Sequence, residues 1–171
     1  MKYLLDSNTY IQAKNFYYGM DICPAYWDWL DQQFQLGLVA SIQMIGKELK
    51  DGNDELAEWA RARPEHFINH YDTETQTVFS EIVQSVVAGD YNAGNRDNFL
   101  AKADPWIIAK AKTLGAIVVT HESLLAPNTK KVKVPNICLQ YGVPCLNTFQ
   151  FLRELKQDLC WNVRTASAIK Y

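Results

Sequence analysis

Tyr3-Leu4-Leu5-Asp6-Ser7-Asn8 is the stretch that decides the fold. An apolar run begins almost at the first residue and stops at Asp6. Ser7 and Asn8, both suited to helix N-caps, follow before a helical segment opens at Thr9. Such a run reads as a buried strand, so the acid that closes it stands at the C-terminal edge of a sheet. In open α/β folds ligands bind outside that edge. Three more acids trace to the same edge: Glu48, Asp104 and Glu122. Four carboxylates gathered without basic partners repel one another, and a divalent cation is the expected remedy.

The chain on either side of that strand supports this placement. Residues 38–40 read as a second strand, with Ser41 capping a helix that turns Ile42, Ile45 and Leu49 inward. Glu48 borders that apolar stripe. Residues 116–119 are β-branched and apolar, the pattern of an interior parallel strand, and Thr120, His121 and Glu122 emerge from its end. Residues 143–146 read as a last strand, followed by a helix over 149–157 capped by Thr148.

The intervening segments read as helices. Pro24 opens one over 25–36, with Trp27, Leu30 and Phe34 at helical spacing. Another spans 54–63, and an amphipathic one spans 73–88 with Val78, Ile82, Val83, Val86 and Val87 inward. Residues 89–97, rich in Gly and Asn, read as a mobile loop, followed by a helical turn over 98–102. Asp104 and Pro105 start a further helix as cap and first helical residue, and Gly115 ends it. Residues 67–71 fit either a short strand or irregular structure. Strands alternating with helices predict an α/β fold, a three-layer α/β/α sandwich around a mainly parallel sheet. One domain is expected over 1–157, with a tail over 158–171.

Bulk properties narrow the function. The 171 residues are 48% hydrophobic and 21% charged, with a net charge of −2, which suits one domain with a substantial core. The near-neutral charge argues against a broad nucleic-acid surface, so such a substrate would be held by a local basic strip and the metal. No apolar run approaches the roughly 18 residues of a membrane span, and no signal peptide is visible, so a cytoplasmic protein is expected. Cys23, Cys138, Cys145 and Cys160 are widely spaced and form no zinc pattern with the three histidines; reduced, mostly buried thiols are expected.

Each acid also has a plainer explanation. Asp6 reads as a cap of the following helix, Asp104 as a cap before proline, and Glu48 as a solvated helix glutamate. Glu122 follows an interior strand with two residues between, whereas His121 points the other way if the chain stays extended, which leaves it outside the site. As a set, the four suit oxygen coordination of Mg²⁺ or Mn²⁺.

Tyr-Leu-Leu-Asp-Ser-Asn at 3–8, Lys-Glu-Leu at 47–49, Ala-Asp-Pro-Trp-Ile-Ile-Ala at 103–109 and Val-Val-Thr-His-Glu at 118–122 resemble the PIN domain. Together with the aromatic stretch 15–29 and Lys-Lys-Val-Lys-Val-Pro at 130–135, they resemble its small bacterial branch DUF4411. The resemblance covers about residues 2–155 and implies an Mg²⁺/Mn²⁺-dependent ribonuclease of single-stranded RNA, commonly the toxin of a type II toxin–antitoxin pair. It places Asp6, Glu48, Asp104 and Glu122 on the family's acidic positions. The fourth position is usually aspartate, so Glu122 is a departure. Asn8 and Thr120 match positions that support the site through hydrogen bonds.

In the expected mechanism Asp6, Asp104 and Glu122 hold the ion, while Glu48 ligates it or orients the attacking water. Lys130, Lys131 and Lys133 are candidates for phosphate contacts, or a solvated lysine loop. Tyr17 and Tyr18 are candidates for base stacking, or core residues. The expected partners are RNA and a cognate antitoxin, with a homodimer left open and no membrane. Two rival classes remain. A phosphatase of the haloacid-dehalogenase type wants a second Asp two residues after the first, where Asn8 stands, and a receiver domain is disfavoured by the acid-free ends of the second and last strands. A binding module without turnover has no motive in the sequence, since all four acidic positions are filled.

Overall fold

The computed structural model describes residues 1–155. The reading of residues 156–157 as the end of the last helix, the tail over 158–171 and Cys160 lie outside the described residues. Five parallel strands form the central sheet: β1 (Tyr3–Leu5), β2 (Val39–Ile42), β3 (Phe67–Ile68), β4 (Ile117–Val119) and β5 (Cys145–Leu146), in the order β3-β2-β1-β4-β5. Helices connect them in a three-layer α/β/α sandwich: α1 (Ser7–Gln12), α2 (Pro24–Gln35), α3 (Gln43–Lys50), α4 (Glu55–Arg61), α5 (Thr73–Ala88), α6 (Ala93–Ala101), α7 (Asp104–Leu114), α8 (Val134–Gln140) and α9 (Thr148–Glu154).

β1 is central because nothing in it needs water. Tyr3, Leu4 and Leu5 are all fully buried, and β1 pairs with β2 on one side and β4 on the other. A parallel strand covered on both faces is the environment that an unbroken apolar run requires. The Tyr3 hydroxyl reaches the rim, donating to Glu154 at 2.7 Å. Residues 67–71, ambiguous in sequence, contribute the edge strand β3 through Phe67 and Ile68 only.

Several boundaries differ from the sequence expectation, each for a local reason. Ser41 does not cap α3: β2 runs on through fully buried Ile42, and the Ser41 hydroxyl donates to the Leu5 carbonyl at 2.6 Å. α1 opens at Ser7, two residues early, with Asp6 at the N-cap position. α6 occupies much of the expected mobile loop, because Asn92 acts as its cap and buried Phe99 anchors it. The cap of α9 is Asn147, which makes a capping box with Gln150 that leaves the Thr148 hydroxyl free for another partner. α5 has the expected bounds, but Val87 faces solvent. Gly115, with φ +63°, closes α7 through a bond from the Ala116 amide to the Ala111 carbonyl at 2.8 Å.

One close approach yields a stability prediction. A Cβ on Gly46 of α3 would lie 2.5 Å from the Cγ of Phe67, a buried ring of β3. Helix propensity alone favours Gly46→Ala by about 1 kcal/mol. Overpacking a core typically costs about 1–3 kcal/mol, and a buried ring has little room to move. Gly46→Ala is therefore expected to lower the thermal midpoint; a raised midpoint would show that the α3–β3 contact is loose.

Candidate functional site

β1 and β4 lie side by side with Leu5 opposite Val119. The chain leaves β1 for β2 and β3 on one side of the sheet and returns to β4 on the other. Connections that diverge in this way open a crevice at the C-terminal ends of the two strands. The residues that step into it are Asp6 and Thr120, each only 1% exposed.

Asp6 is held from several directions. The Thr120 hydroxyl donates to its Oδ2 at 2.7 Å, and longer contacts of 3.4 Å come from the Ser7 hydroxyl and the Asn8 amide. The Thr120 hydroxyl also accepts from the Glu122 backbone amide at 3.1 Å, so one side chain ties the two strand-end acids together. The Asp6 side chain makes no capping bond to α1, which removes the plainer explanation for an acid at that position. Burial pushes its pKa upward, the Thr120 bond opposes this, and the Glu122 charge adds to the rise.

Asp104 and Glu48 approach from the helices. The cap position of α7 belongs to Ala103, whose carbonyl accepts the Ile107 amide at 2.9 Å; Asp104 is the first helical residue rather than the cap. Its carboxylate accepts no hydrogen bond from any donor among the described residues. Its pKa is pushed up to about 8, first by burial, then by the charges of Asp6, Glu122 and Glu48, with Lys102 opposing. Glu48 stands on α3 as an exposed residue whose carboxyl end turns toward α7, where Oε1 accepts the Ala103 amide at 3.3 Å. Partial desolvation raises its pKa, the Ala103 bond opposes this, and the Asp6 charge adds to the rise. Each of these acids thus feels the negative charge of at least one other.

Glu122 departs from the expectation of acids without basic partners. Lys133 donates to its Oε1 at 2.5 Å, and the Val134 amide, in the first turn of α8, donates to Oε2 at 2.8 Å. Both oxygens are engaged, and the pair closes the loop between β4 and α8. No local sequence signal marks this contact, which joins two residues eleven positions apart. Among the described residues no three His, Cys, Asp or Glu side chains are placed to hold one metal ion.

The other candidates divide. Lys130 pairs with Asp90, Lys133 is engaged by Glu122, and Lys131 is exposed with no ion-pair partner among the described residues. Tyr18 belongs to the core side: its ring stacks on Tyr26 at 4.4 Å and its carbonyl accepts the Trp27 indole at 2.8 Å. Tyr17 is half exposed and stacks on His121. An extended chain would point His121 away from the site, but β4 ends at Val119 and the chain bends at His121, which lines two clefts beside Glu122. One cleft, of about 390 Å³, runs past Asn8, Gln12, Glu122 and Lys133. The other, of about 600 Å³, runs past Glu122, Leu139, Cys145 and Phe149. Cys23, Cys138 and Cys145 are free thiols.

The sequence profile of a family described as a domain of unknown function, DUF4411, matches residues 3–159. No curated protein matches the chain.

Proposed function

We propose that this chain, which belongs to the DUF4411 family, is a PIN-like nuclease that hydrolyses phosphodiester bonds of single-stranded RNA with Mg²⁺ or Mn²⁺. The observation that carries this reading is the Asp104 carboxylate, largely buried, lacking any hydrogen-bond donor among the described residues, and set against the charges of Asp6, Glu48 and Glu122. The donor chemistry fits a hard dication: every candidate ligand is a carboxylate oxygen. The fit is incomplete in one respect, since among the described residues no three acids form a ready-made cage. Asp6 and Asp104 are the residues to hold the ion, with Glu48 beside them for the water, because Glu122 is engaged by Lys133 and the Val134 amide.

A bound dication would neutralise phosphate charge, polarise the phosphoryl oxygen and make water a better nucleophile. The chain's own groups do the positioning. Thr120 and Asn8 fix the Asp6 carboxylate. Glu48, anchored through Oε1, has Oε2 left to orient the attacking water and take its proton. Glu122 and Lys133 hold the loop 123–133 against the crevice. The reading as the toxin of a toxin–antitoxin pair rests on the sequence resemblance alone; there, a basic side chain of the antitoxin entering the crevice would silence the enzyme.

One observation favours a second reading, a nucleic-acid-binding module without turnover: the ion pair on Glu122 removes one of the four carboxylates from service. Purified protein incubated with labelled single-stranded RNA separates the two. Cleavage with Mg²⁺ or Mn²⁺ that stops on adding EDTA and is absent in Asp6→Asn supports the nuclease. Binding without cleavage under every metal condition supports the module.

A further inference from the structure

Three rings from three separate elements meet beside the acidic crevice. Tyr17 ends a single π turn, Ala13–Tyr17, that follows α1 and is closed by a bond from the Tyr18 amide to the Ala13 carbonyl at 2.6 Å. Such turns widen the helix locally, reorient side chains and recur at functional sites. The Tyr17 ring lies nearly parallel to the His121 imidazole, 6° between planes and 5.7 Å between centroids. Phe149, in the first turn of α9, stands edge-on to both rings, at 5.3 Å from Tyr17 and 6.3 Å from His121. The imidazole is fixed at its far side, where Nε2 bonds the hydroxyl of buried Thr148 at 2.7 Å.

This assembly is packed together yet exposed to solvent. Tyr17 is 49% exposed and Phe149 39%, and the neighbouring Phe16 is 70% exposed. His121 and Glu122 line both clefts and Phe149 lines the larger one, so two of the three rings stand beside the Glu122 carboxylate. Partial burial lowers the His121 pKa. A fixed, solvated aromatic ledge beside carboxylates suits a flat, polar-edged ring joined to a phosphate.

We propose that Tyr17 and His121, braced by Phe149, form a stacking subsite for one unpaired nucleobase of the nucleic-acid substrate, and that this subsite selects single strands over duplexes. A paired base is already stacked on its neighbours and has no free face to offer. The identity of the ligand rests on the nuclease reading above; the ledge itself does not.

Binding is measured by fluorescence anisotropy in the Asp104→Asn background, where cleavage does not interfere. The probes are a labelled single-stranded RNA, its duplex and the same strand with abasic positions. Base–aromatic stacking spans a range on the order of 10- to 100-fold in affinity. Tyr17→Ala is expected to weaken binding of the single strand by that factor, Tyr17→Phe to restore it to within about 2-fold, and the abasic strand to bind both variants equally. Equal affinity of Tyr17→Ala and its parent for the intact strand overturns the proposal, as does equal affinity of the parent for intact and abasic strands. Loss of a protein partner on Tyr17→Ala with RNA affinity untouched overturns it in favour of a protein-docking surface. The two readings fail separately. A wild-type protein that binds with the stacking signature but never cleaves keeps the subsite and loses the nuclease; one that cleaves with affinity indifferent to Tyr17 does the reverse.

Discussion

Asp104→Asn is expected to cut metal-dependent RNA cleavage by at least about 100-fold, while the metal-free protein becomes more stable rather than less. The two effects have one origin. A carboxylate in a preorganised site that loses its charge typically costs a few kcal/mol of transition-state stabilisation, a factor on the order of 10²–10³. The same carboxylate is a liability in the metal-free fold, because it is largely buried, without a hydrogen-bond donor among the described residues, and repelled by Asp6, Glu122 and Glu48. Asparagine keeps the size and removes the repulsion. Since Ala103 rather than Asp104 occupies the cap position of α7, no cap is lost. Glu122→Gln is expected to behave differently, with a smaller fall in activity and a lower thermal midpoint, because its partners are Lys133 and the Val134 amide. Paired rate and melting measurements on the two variants check this. A destabilised Asp104→Asn with full activity would make Asp104 a structural residue.

The second large effect is on pH dependence. In the unfolded chain an aspartate titrates near its ordinary value of 3.8, whereas in the fold Asp104 is pushed up to about 8. Between those values the folded protein retains a proton that the unfolded chain has released, so stability falls as pH rises through the window and levels off above about 8. Asp6 and Glu48, also raised, act in the same direction. His66 and His70 act oppositely. Burial lowers both from 6.5 to about 4, so their contribution is lost as pH falls below 6.5. From about pH 6.5 to 8 the histidines are silent, and the raised acids, Asp104 among them, set the slope. At ~1.4 kcal/mol per pH unit for a fully displaced proton, the loss across that span is on the order of 1–2 kcal/mol. Melting curves in the presence of a chelator are expected to show the wild-type midpoint dropping by a few degrees from pH 6.5 to 8. Asp104→Asn should fall less steeply, and excess Mg²⁺ should restore the wild type. Parallel pH profiles for the two proteins would contradict the placement of charge described here.

The parts of the fold that were legible in sequence are those with one strong local cause. Tyr3 to Leu5 has no polar atom to satisfy other than the Tyr3 hydroxyl, and it forms the central strand. Residues 73–88 carry a sustained helical period and form α5 with those bounds. The parallel sheet followed from strands and helices in alternation, and it fixes the crevice at Asp6 and Thr120. What was hidden depends on competition or on distance. Ser41 is a good cap by type, but buried Ile42 keeps the strand going, and the hydroxyl serves Leu5 instead. The glycines and asparagines of residues 89–97 suggest a loop, yet Asn92 starts a helix there. The partnership of Lys133 with Glu122 depends on how a loop closes, which no spacing rule encodes. His121 was set aside by the two-residue period of a strand that had already ended.

The proposed activity requires the acidic crevice to be a dication site. Titration of the chelator-treated protein with Mn²⁺, followed by calorimetry in buffers of different ionisation enthalpy, tests it most directly. One ion should bind per chain with release of a proton near pH 7, because Asp104 must give up the proton it holds below about pH 8. Asp104→Asn and Asp6→Asn should each abolish or strongly weaken that binding. Absence of Mn²⁺ binding at millimolar concentration, or binding unchanged in both variants, would contradict it.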